Sequence, residues 1–304
     1  MKIYTLTLSP AFDIHAECEN FKVLRENLLT LTAEDAGGKG INISRALASL
    51  GCETTPFILL GEEDSDKFLS KIGALQKNAQ IIKTEGKIRG NLTLHTKDGE
   101  TRLSFKGATA PADLFALISD MLFLDTGDVL TFTGSLPSGV SRIDAVEFLK
   151  KKKRDGAKIV IDSRSLTLSD IYEISPYLIK PNEEEIYAYT GSEICTKEEA
   201  IARAREMHNR GIENVMISLG ALGAALSSPE GDYFIEAPRI TPVSTIGAGD
   251  SSIAGFLYAK SLGLSSRERL IHAVAFGSAA AMTEGTMPPR KEDIERLLKE
   301  ISEK

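Results

Sequence analysis

Segments that read as short apolar strands alternate with segments of helical periodicity along most of this chain, and no other feature of the sequence restricts the fold as much. A strand reached through a helix returns parallel to its predecessor, so the pattern specifies a layered α/β fold with a mainly parallel central sheet flanked by helices. At 304 residues the chain has room for a full α/β core in one or two domains.

The strand ends carry similar chemistry. Val129-Leu130-Thr131-Phe132-Thr133 runs into Gly134-Ser135-Leu136-Pro137, Ile159-Val160-Ile161 into Asp162-Ser163, and Tyr177-Leu178-Ile179 into Lys180-Pro181-Asn182. Val215-Met216-Ile217 leads to Ser218-Leu219-Gly220-Ala221-Leu222-Gly223, and the first strand ends at Ser9-Pro10 with Asp13 just beyond. One such end is ordinary turn chemistry, and Asp13 by itself reads as a turn cap. In a parallel sheet, however, all five share the edge at which open α/β sheets bind ligands.

Thr245-Ile246-Gly247-Ala248-Gly249-Asp250-Ser251 is a tight glycine turn that delivers an aspartate into a helix start. Ile253, Phe256 and Leu257 follow at helical spacing among the small Ala254 and Gly255, so a closely packed helix opens at Gly249 or Asp250. Its unpaired N–H groups and positive dipole end suit an anion. Asp250 alone reads as a first-turn acid favoured by the dipole. Beside a glycine nest it also suits phosphoryl transfer, with the nest holding developing charge and the carboxylate taking a proton from the attacking hydroxyl.

A second glycine turn, Ala36-Gly37-Gly38-Lys39-Gly40-Ile41-Asn42, leads into Ile43, Ala46, Leu47 and Leu50, one face of a helix that Gly51 stops. Neither turn fits a common nucleotide motif. A Walker A loop requires Ser or Thr where Gly40 stands, and a Rossmann fingerprint requires glycine where Ile43 and Ser252 stand.

From Arg89 to Phe105 the pattern changes to period two around Asp98-Gly99, a hairpin that resembles neither neighbouring unit; residues 12–35 are candidates to pair with it. His95 reads as a solvent-facing strand residue without a role. Lys150 to Arg154 read as a solvated helix C-terminus, and Thr196-to-Glu199 and Ser265-to-Glu268 as capping boxes of surface helices. The helical spacing from Leu270 to Met282 predicts a helix beside the Asp250 helix.

A net charge of −7 excludes a generally basic nucleic-acid surface and leaves any anionic substrate to a few local cations. No run approaches the ~18 apolar residues of a membrane span. The N-terminus reads as a strand rather than a secretory signal. Three widely spaced cysteines make neither a disulfide framework nor a C-x-x-C site, and four scattered histidines argue against a transition-metal centre. The expected compartment is the cytoplasm.

In their shared order, the run from Thr5 to Asp13, the Gly37-to-Asn42 turn, Gly134-Ser135-Leu136-Pro137, Lys180-Pro181-Asn182, Ser218-Leu219-Gly220 and the Gly247-to-Asp250 turn resemble the PfkB carbohydrate kinases of the ribokinase-like fold, and most closely their sugar-phosphate kinase branch. The resemblance covers almost the whole chain. It implies a three-layer ribokinase-like fold, one kinase domain over residues 1–304, with a small inserted β lid from about 12–35 and 88–106 that often contributes to a homodimer in related enzymes. It implies Asp250 as general base and the backbone of Gly247, Ala248 and Gly249 as anion hole. Asp13, Gly38, Asn42 and Ser135 would bind the sugar, and Lys39 and Arg89 the phosphate already on it. Lys180, Asn182, Ser218, Gly220, Gly223 and Gly249 would line the nucleotide site. Asn182 and Glu185 match the family's N-x-x-E pattern tied to magnesium, and a monovalent cation such as K⁺ belongs near residues 244–249.

The implied reaction is ATP-dependent phosphorylation of a ketohexose phosphate. Fructose 1-phosphate stands first, with tagatose 6-phosphate and fructose 6-phosphate as alternatives and a non-catalytic sugar-phosphate or nucleotide sensor as the reading from another class. Charge agrees, since a phosphosugar gains roughly 1.5–3 kcal/mol from each charge-assisted hydrogen bond to Lys39 or Arg89. Asn27 is followed by Leu28 where the tagatose-6-phosphate kinases show arginine, which also favours fructose 1-phosphate.

Overall fold

The structure is a computed structural model that describes residues 1–303. Strand β1 (Ile3–Thr7) is followed by β2 (Ala11–Glu17), β3 (Thr30–Gly37), α1 (Lys39–Ala48), β4 (Thr55–Gly61), α2 (Ser65–Ile72) and β5 (Gln80–Thr84). The hairpin β6 (Arg89–Thr96) and β7 (Gly99–Ser104) precedes α3 (Leu114–Met121), β8 (Val129–Thr133), α4 (Arg142–Arg154), β9 (Lys158–Asp162), α5 (Leu168–Ile174) and β10 (Leu178–Ile179). Then come α6 (Glu183–Thr190), α7 (Lys197–Asn209), β11 (Asn214–Ser218), β12 (Gly223–Ser228), β13 (Gly231–Glu236), α8 (Ala248–Ser261), α9 (Ser266–Ala280) and α10 (Lys291–Ser302).

Nine strands form the main sheet in the order β13-β12-β11-β10-β9-β8-β1-β4-β5. All neighbours from β11 to β5 are parallel, and only β12 and β13 turn back as an antiparallel edge. Strands covered on both faces must be apolar on both. Accordingly, Leu130, Ile159 and Ile161 join the layer under α3 to α7, while Val129 and Val160 join the layer under α1, α8, α9 and α10.

A separate four-stranded sheet, β3-β2-β6-β7, pairs β2 with β6 in parallel and is otherwise antiparallel. A third apolar cluster, with Phe12, Ile41, Ile58, Phe68 and Ile88, joins it to the main body. His95 is a partner rather than a lone surface residue: its Nε2 lies 3.0 Å from His15 Nδ1 on the neighbouring strand.

Helix α8 opens at Ala248, one residue before the earliest start expected from the sequence, because Gly247 takes the N-cap position with φ 79°. It packs directly on α9, and both capping boxes predicted from sequence form. The helix that follows Ser265 is not a surface helix, since ten of its fifteen residues are buried between α8 and the sheet. The Lys150-to-Arg154 run also departs from a purely solvated end. Lys152 is buried with its ammonium 5.6 Å from the Phe148 ring, and Lys153 donates to the Ile174 carbonyl at 3.1 Å. Lys152 buries its methylene stem while keeping its ammonium over a ring, which the charge pattern alone conceals.

Candidate active site

Parallel register lines up the strand ends. Thr7 stands opposite Thr133, and Thr133 opposite Asp162. Around this edge, under the small sheet, lies a cavity of about 630 Å³. Asp13, Gly38, Lys39, Asn42, Arg89, Ser135, Lys180, Asn182, Glu185, Gly247, Gly249 and Asp250 all line it. Ala248 stands in the same turn without facing the cavity. Ser218, Gly220 and Gly223 lie one strand further along the edge, where Ser218 bridges Asn182 and its N–H donates to the Pro181 carbonyl at 3.1 Å.

Asp250 sits in the first turn of α8 and is buried. Its Oδ2 accepts from Asn42 Nδ2 at 2.8 Å. The first backbone bond of the helix runs from the Ser251 N–H to the Gly247 carbonyl at 2.9 Å, so the Gly249 and Asp250 amides precede the ladder and face an incoming anion. A side chain at Gly249 would come within 3.0 Å of the Lys180 ammonium, so the glycine gives this cation room beside the helix start.

Two buried carboxylates here titrate in opposite directions. Burial raises Asp250 and the nearby Asp162 charge adds to it, against the pull of Lys39, so the carboxyl is pushed up to about 6. Burial works on Asp162 as well, but Lys180 and Lys39 outweigh it and hold this carboxyl below the usual range. Lys39 lies 3.0 Å and Lys180 3.8 Å from Asp162 Oδ2. Burial draws the Lys39 ammonium down, but Asp162 and Asp250 more than offset that. The result is one carboxyl poised to exchange a proton near neutrality and one fixed as an anion that locks two cations in place.

At the other end, Asp13 Oδ1 accepts from Asn91 Nδ2 at 2.9 Å and faces Arg102 Nη2 at 3.7 Å. Arg89 lies at this end with a buried Nε that has no protein partner, and the Asn42 Oδ1 is likewise unpartnered. Lys39, which the family resemblance assigns to the substrate's phosphate, lines the same cavity with its ammonium beside Asp162. Asn182 and Glu185 form a reciprocal capping box at the start of α6, with Glu185 N–H to Asn182 Oδ1 at 2.9 Å and Asn182 N–H to Glu185 Oε2 at 3.1 Å; Arg164 Nε adds a bond to Oε1. Both residues line the cavity, and each of these oxygens accepts only one of the bonds named. Among the described residues no three His, Cys, Asp or Glu side chains converge to hold a metal by themselves. A magnesium ion shared with nucleotide phosphates needs only one or two protein oxygens, and this donor set fits it.

Sequence reasoning assigned no role to Asp162, Asn91, Arg102 or Arg164, all of which line the cavity. For Asp162 there was a signal: an acid that ends an uninterrupted apolar strand. The other three lie in stretches where a polar residue is unremarkable.

A buried carboxyl at a helix start, cations fixed beside it and a polar cavity roofed by a second sheet are what a phosphotransferase that acts on an alcohol requires. The chain belongs to the pfkB family of carbohydrate kinases, whose family model matches residues 16–293. It is 33% identical over 283 residues to 1-phosphofructokinase of Escherichia coli (strain K12), covering 92% of this chain and 89% of that protein. The structure of Escherichia coli phosphofructokinase-2 in complex with substrates and products superposes with a TM-score of 0.91 at 27% identity, covering 99% of this chain and 100% of that one. The same enzyme in complex with potassium superposes with a TM-score of 0.89 at 26% identity over 99% of both chains.

Proposed function

We propose that this kinase transfers the γ-phosphoryl group of ATP to the 6-hydroxyl of fructose 1-phosphate, forming fructose 1,6-bisphosphate. The observation that carries this reading is the Asp250 carboxyl, pushed up to about 6 at the N-terminus of α8. As the deprotonated base it accepts the proton of the attacking hydroxyl. The free amides of Gly249 and Asp250, with Lys39 and Lys180, receive the charge that develops on the transferred group. Asn42 holds the base in position through its 2.8 Å bond, and Asp13, Gly38 and Ser135 take sugar hydroxyls.

Asn182 and Glu185 would hold magnesium, which supplies charge neutralisation to the nucleotide phosphates when bound. Lys180 lies within this nucleotide region, and Ser218, Gly220 and Gly223 form its outer wall. The potassium complex of the phosphofructokinase-2 relative supports use of a monovalent cation, which we place near residues 244–249. The small sheet acts as a lid. Leu24, Leu28, Leu31 and Phe105, in and beside this sheet, are exposed apolar side chains that a second copy of the chain would cover, giving a homodimer. No helix among the described residues is long and apolar enough to cross a membrane, and the reaction belongs to the cytoplasm.

An ATP-coupled assay over fructose 1-phosphate, fructose 6-phosphate and tagatose 6-phosphate tests the reading, with the highest kcat/KM expected for the first. A higher value for either of the others reassigns the substrate. Tight phosphosugar binding with no ADP release across the panel, with magnesium and potassium supplied, makes the protein a sensor instead.

A further inference from the structure

The chain has four histidines, and their spacing in sequence argues against a metal centre, yet folding brings two of them together in the small sheet. In the parallel register of β2 and β6, His15 stands opposite Thr93 and Glu17 opposite His95, so the two rings are diagonal neighbours on adjacent strands. They stack at 17° with 5.4 Å between centroids, and His15 Nδ1 lies 3.0 Å from His95 Nε2. Neither ring lines the main cavity, and the phosphoryl transfer uses neither.

The hydrogen bonds determine which nitrogen offers a lone pair. Glu100, opposite His95 on β7, places Oε1 3.1 Å from His95 Nδ1, and a carboxylate can only accept, so Nδ1 carries the proton. The neutral ring then presents Nε2 as a lone pair, and His15 donates to it through Nδ1–H. An imidazole held by a carboxylate through one nitrogen, with the other left as a lone pair, is how proteins orient a metal-binding histidine. Two nitrogens on one tetrahedral ion, each at ~2.0–2.1 Å, stand ~3.3 Å apart, and this pair reaches that separation with a small rotation of either ring. When Nδ1 of His15 binds an ion, the ring carries its proton on Nε2 instead, and both imidazoles stay neutral.

The surroundings favour a cation. Glu17 and Glu100 flank His95 in register, and Asp13 and Asp35 share a small space with His15, Thr93, Ile246 and Thr286. Arg102 also lines that space, where it faces Asp13 at 3.7 Å. The His95 side chain is 35% exposed, so an ion can reach the pair from solvent.

We infer that His15 and His95 form a binding site for one divalent transition-metal ion of the zinc class, separate from the magnesium position proposed at Asn182 and Glu185, with Glu100 as the residue that positions His95. Two imidazoles are its protein ligands and water completes the coordination, since no third His, Cys, Asp or Glu converges on the pair among the described residues. Such a site exchanges its ion readily. Magnesium prefers oxygen ligands and keeps its waters, so it does not compete for two imidazoles. The ion would sit two residues beyond Asp13 on β2 and four beyond Asn91 on β6, the two side chains that are bonded at 2.9 Å at the sugar end of the main cavity.

Calorimetric titration of the parent chain with zinc, in buffer holding excess magnesium, should show one equivalent bound in the micromolar range. His15→Ala and His95→Ala should each abolish that binding, and His15→Gln and His95→Gln repeat the test should an alanine variant melt below the parent. Glu100→Gln, which alters a partner of the ligand rather than a ligand, should weaken zinc about tenfold. His208→Ala should leave it unchanged, because that ring bonds the Ile212 carbonyl outside the small sheet. With cobalt as probe, ligand-field absorption that disappears in either histidine variant reports imidazole ligation directly. Absence of zinc binding in the presence of magnesium, or binding that survives the loss of either histidine, overturns the site. Unchanged affinity in Glu100→Gln overturns the positioning role of Glu100.

Discussion

Replacing Asp250 with asparagine separates what this residue does for catalysis from what it costs the fold. The carboxyl is pushed from an ordinary 3.8 to about 6 by burial and by Asp162, so the folded chain binds its proton more tightly than the unfolded chain does. Below pH 3.8 both states carry the proton and the group is neutral in its effect. As pH rises from there to about 6 the unfolded state releases the proton first, and a cost to stability grows until it levels off above 6. At about 1.4 kcal/mol per pH unit, the full cost is about 3 kcal/mol near neutrality, with roughly half of it present at pH 5. Asparagine has the same shape, can still accept from Asn42 and carries no charge to desolvate.

Asp250→Asn should therefore be more stable than the parent by about 3 kcal/mol at pH 8. For a chain of 304 residues this is about 5 °C in Tm, with the gap narrowing to about half at pH 5. The same variant should lose about two to four orders of magnitude in kcat with little change in acceptor binding. Differential scanning calorimetry across pH 5 to 8 on both proteins, with the coupled assay alongside, measures both effects. A stability gap that does not change with pH, or an asparagine variant less stable at pH 8, would show that Lys39 more than compensates the buried charge and would refute the argument for a raised base. Near-parental turnover would remove Asp250 from the reaction while leaving the stability argument standing.

In the parent enzyme, kcat/KM should fall below a midpoint near pH 6 as the base becomes protonated, and a flat acidic limb down to pH 5 would count against Asp250 as the titrating group. Lys39→Ala should lower kcat by at least tenfold and move acceptor KM less, because its ammonium lies 3.0 Å from Asp162 at the Asp250 end; a change confined to acceptor KM would return Lys39 to the sugar phosphate. Gly255→Ala should destabilise by about 2–3 kcal/mol, since a Cβ there would meet the His272 carbonyl of α9 at 2.4 Å; urea denaturation with an unchanged midpoint would mean that the two helices can part without strain. Arg89→Ala should raise acceptor KM about tenfold with ATP KM unchanged, and equal effects on both would place Arg89 outside the sugar-phosphate end.

Local patterns were readable because their causes are local. Apolar runs of strand length, periodic helices, a glycine turn before Asp250 and a hairpin at Asp98-Gly99 all depend on neighbours within a few residues, and they specified a mainly parallel α/β sheet with one functional edge. The antiparallel return of β12 and β13 carries no such mark, because two short apolar strands read the same in either direction. The buried Lys152 and the interior position of α9 were hidden for a related reason: charge and capping describe a helix's ends and composition, not what packs on it.

The sequence by itself therefore determined which residues stand at strand ends and helix starts, and so which groups collect along one edge. Tertiary structure alone decided what they do to one another. Lys39 reaches Asp162 across a sequence separation of 123, Asn42 reaches Asp250 across one of 208, and the opposite titration of the two acids follows from burial and from those cations. Desolvation and Coulomb energy depend on distances in space and on the removal of water, and neither quantity exists along the chain until it has folded.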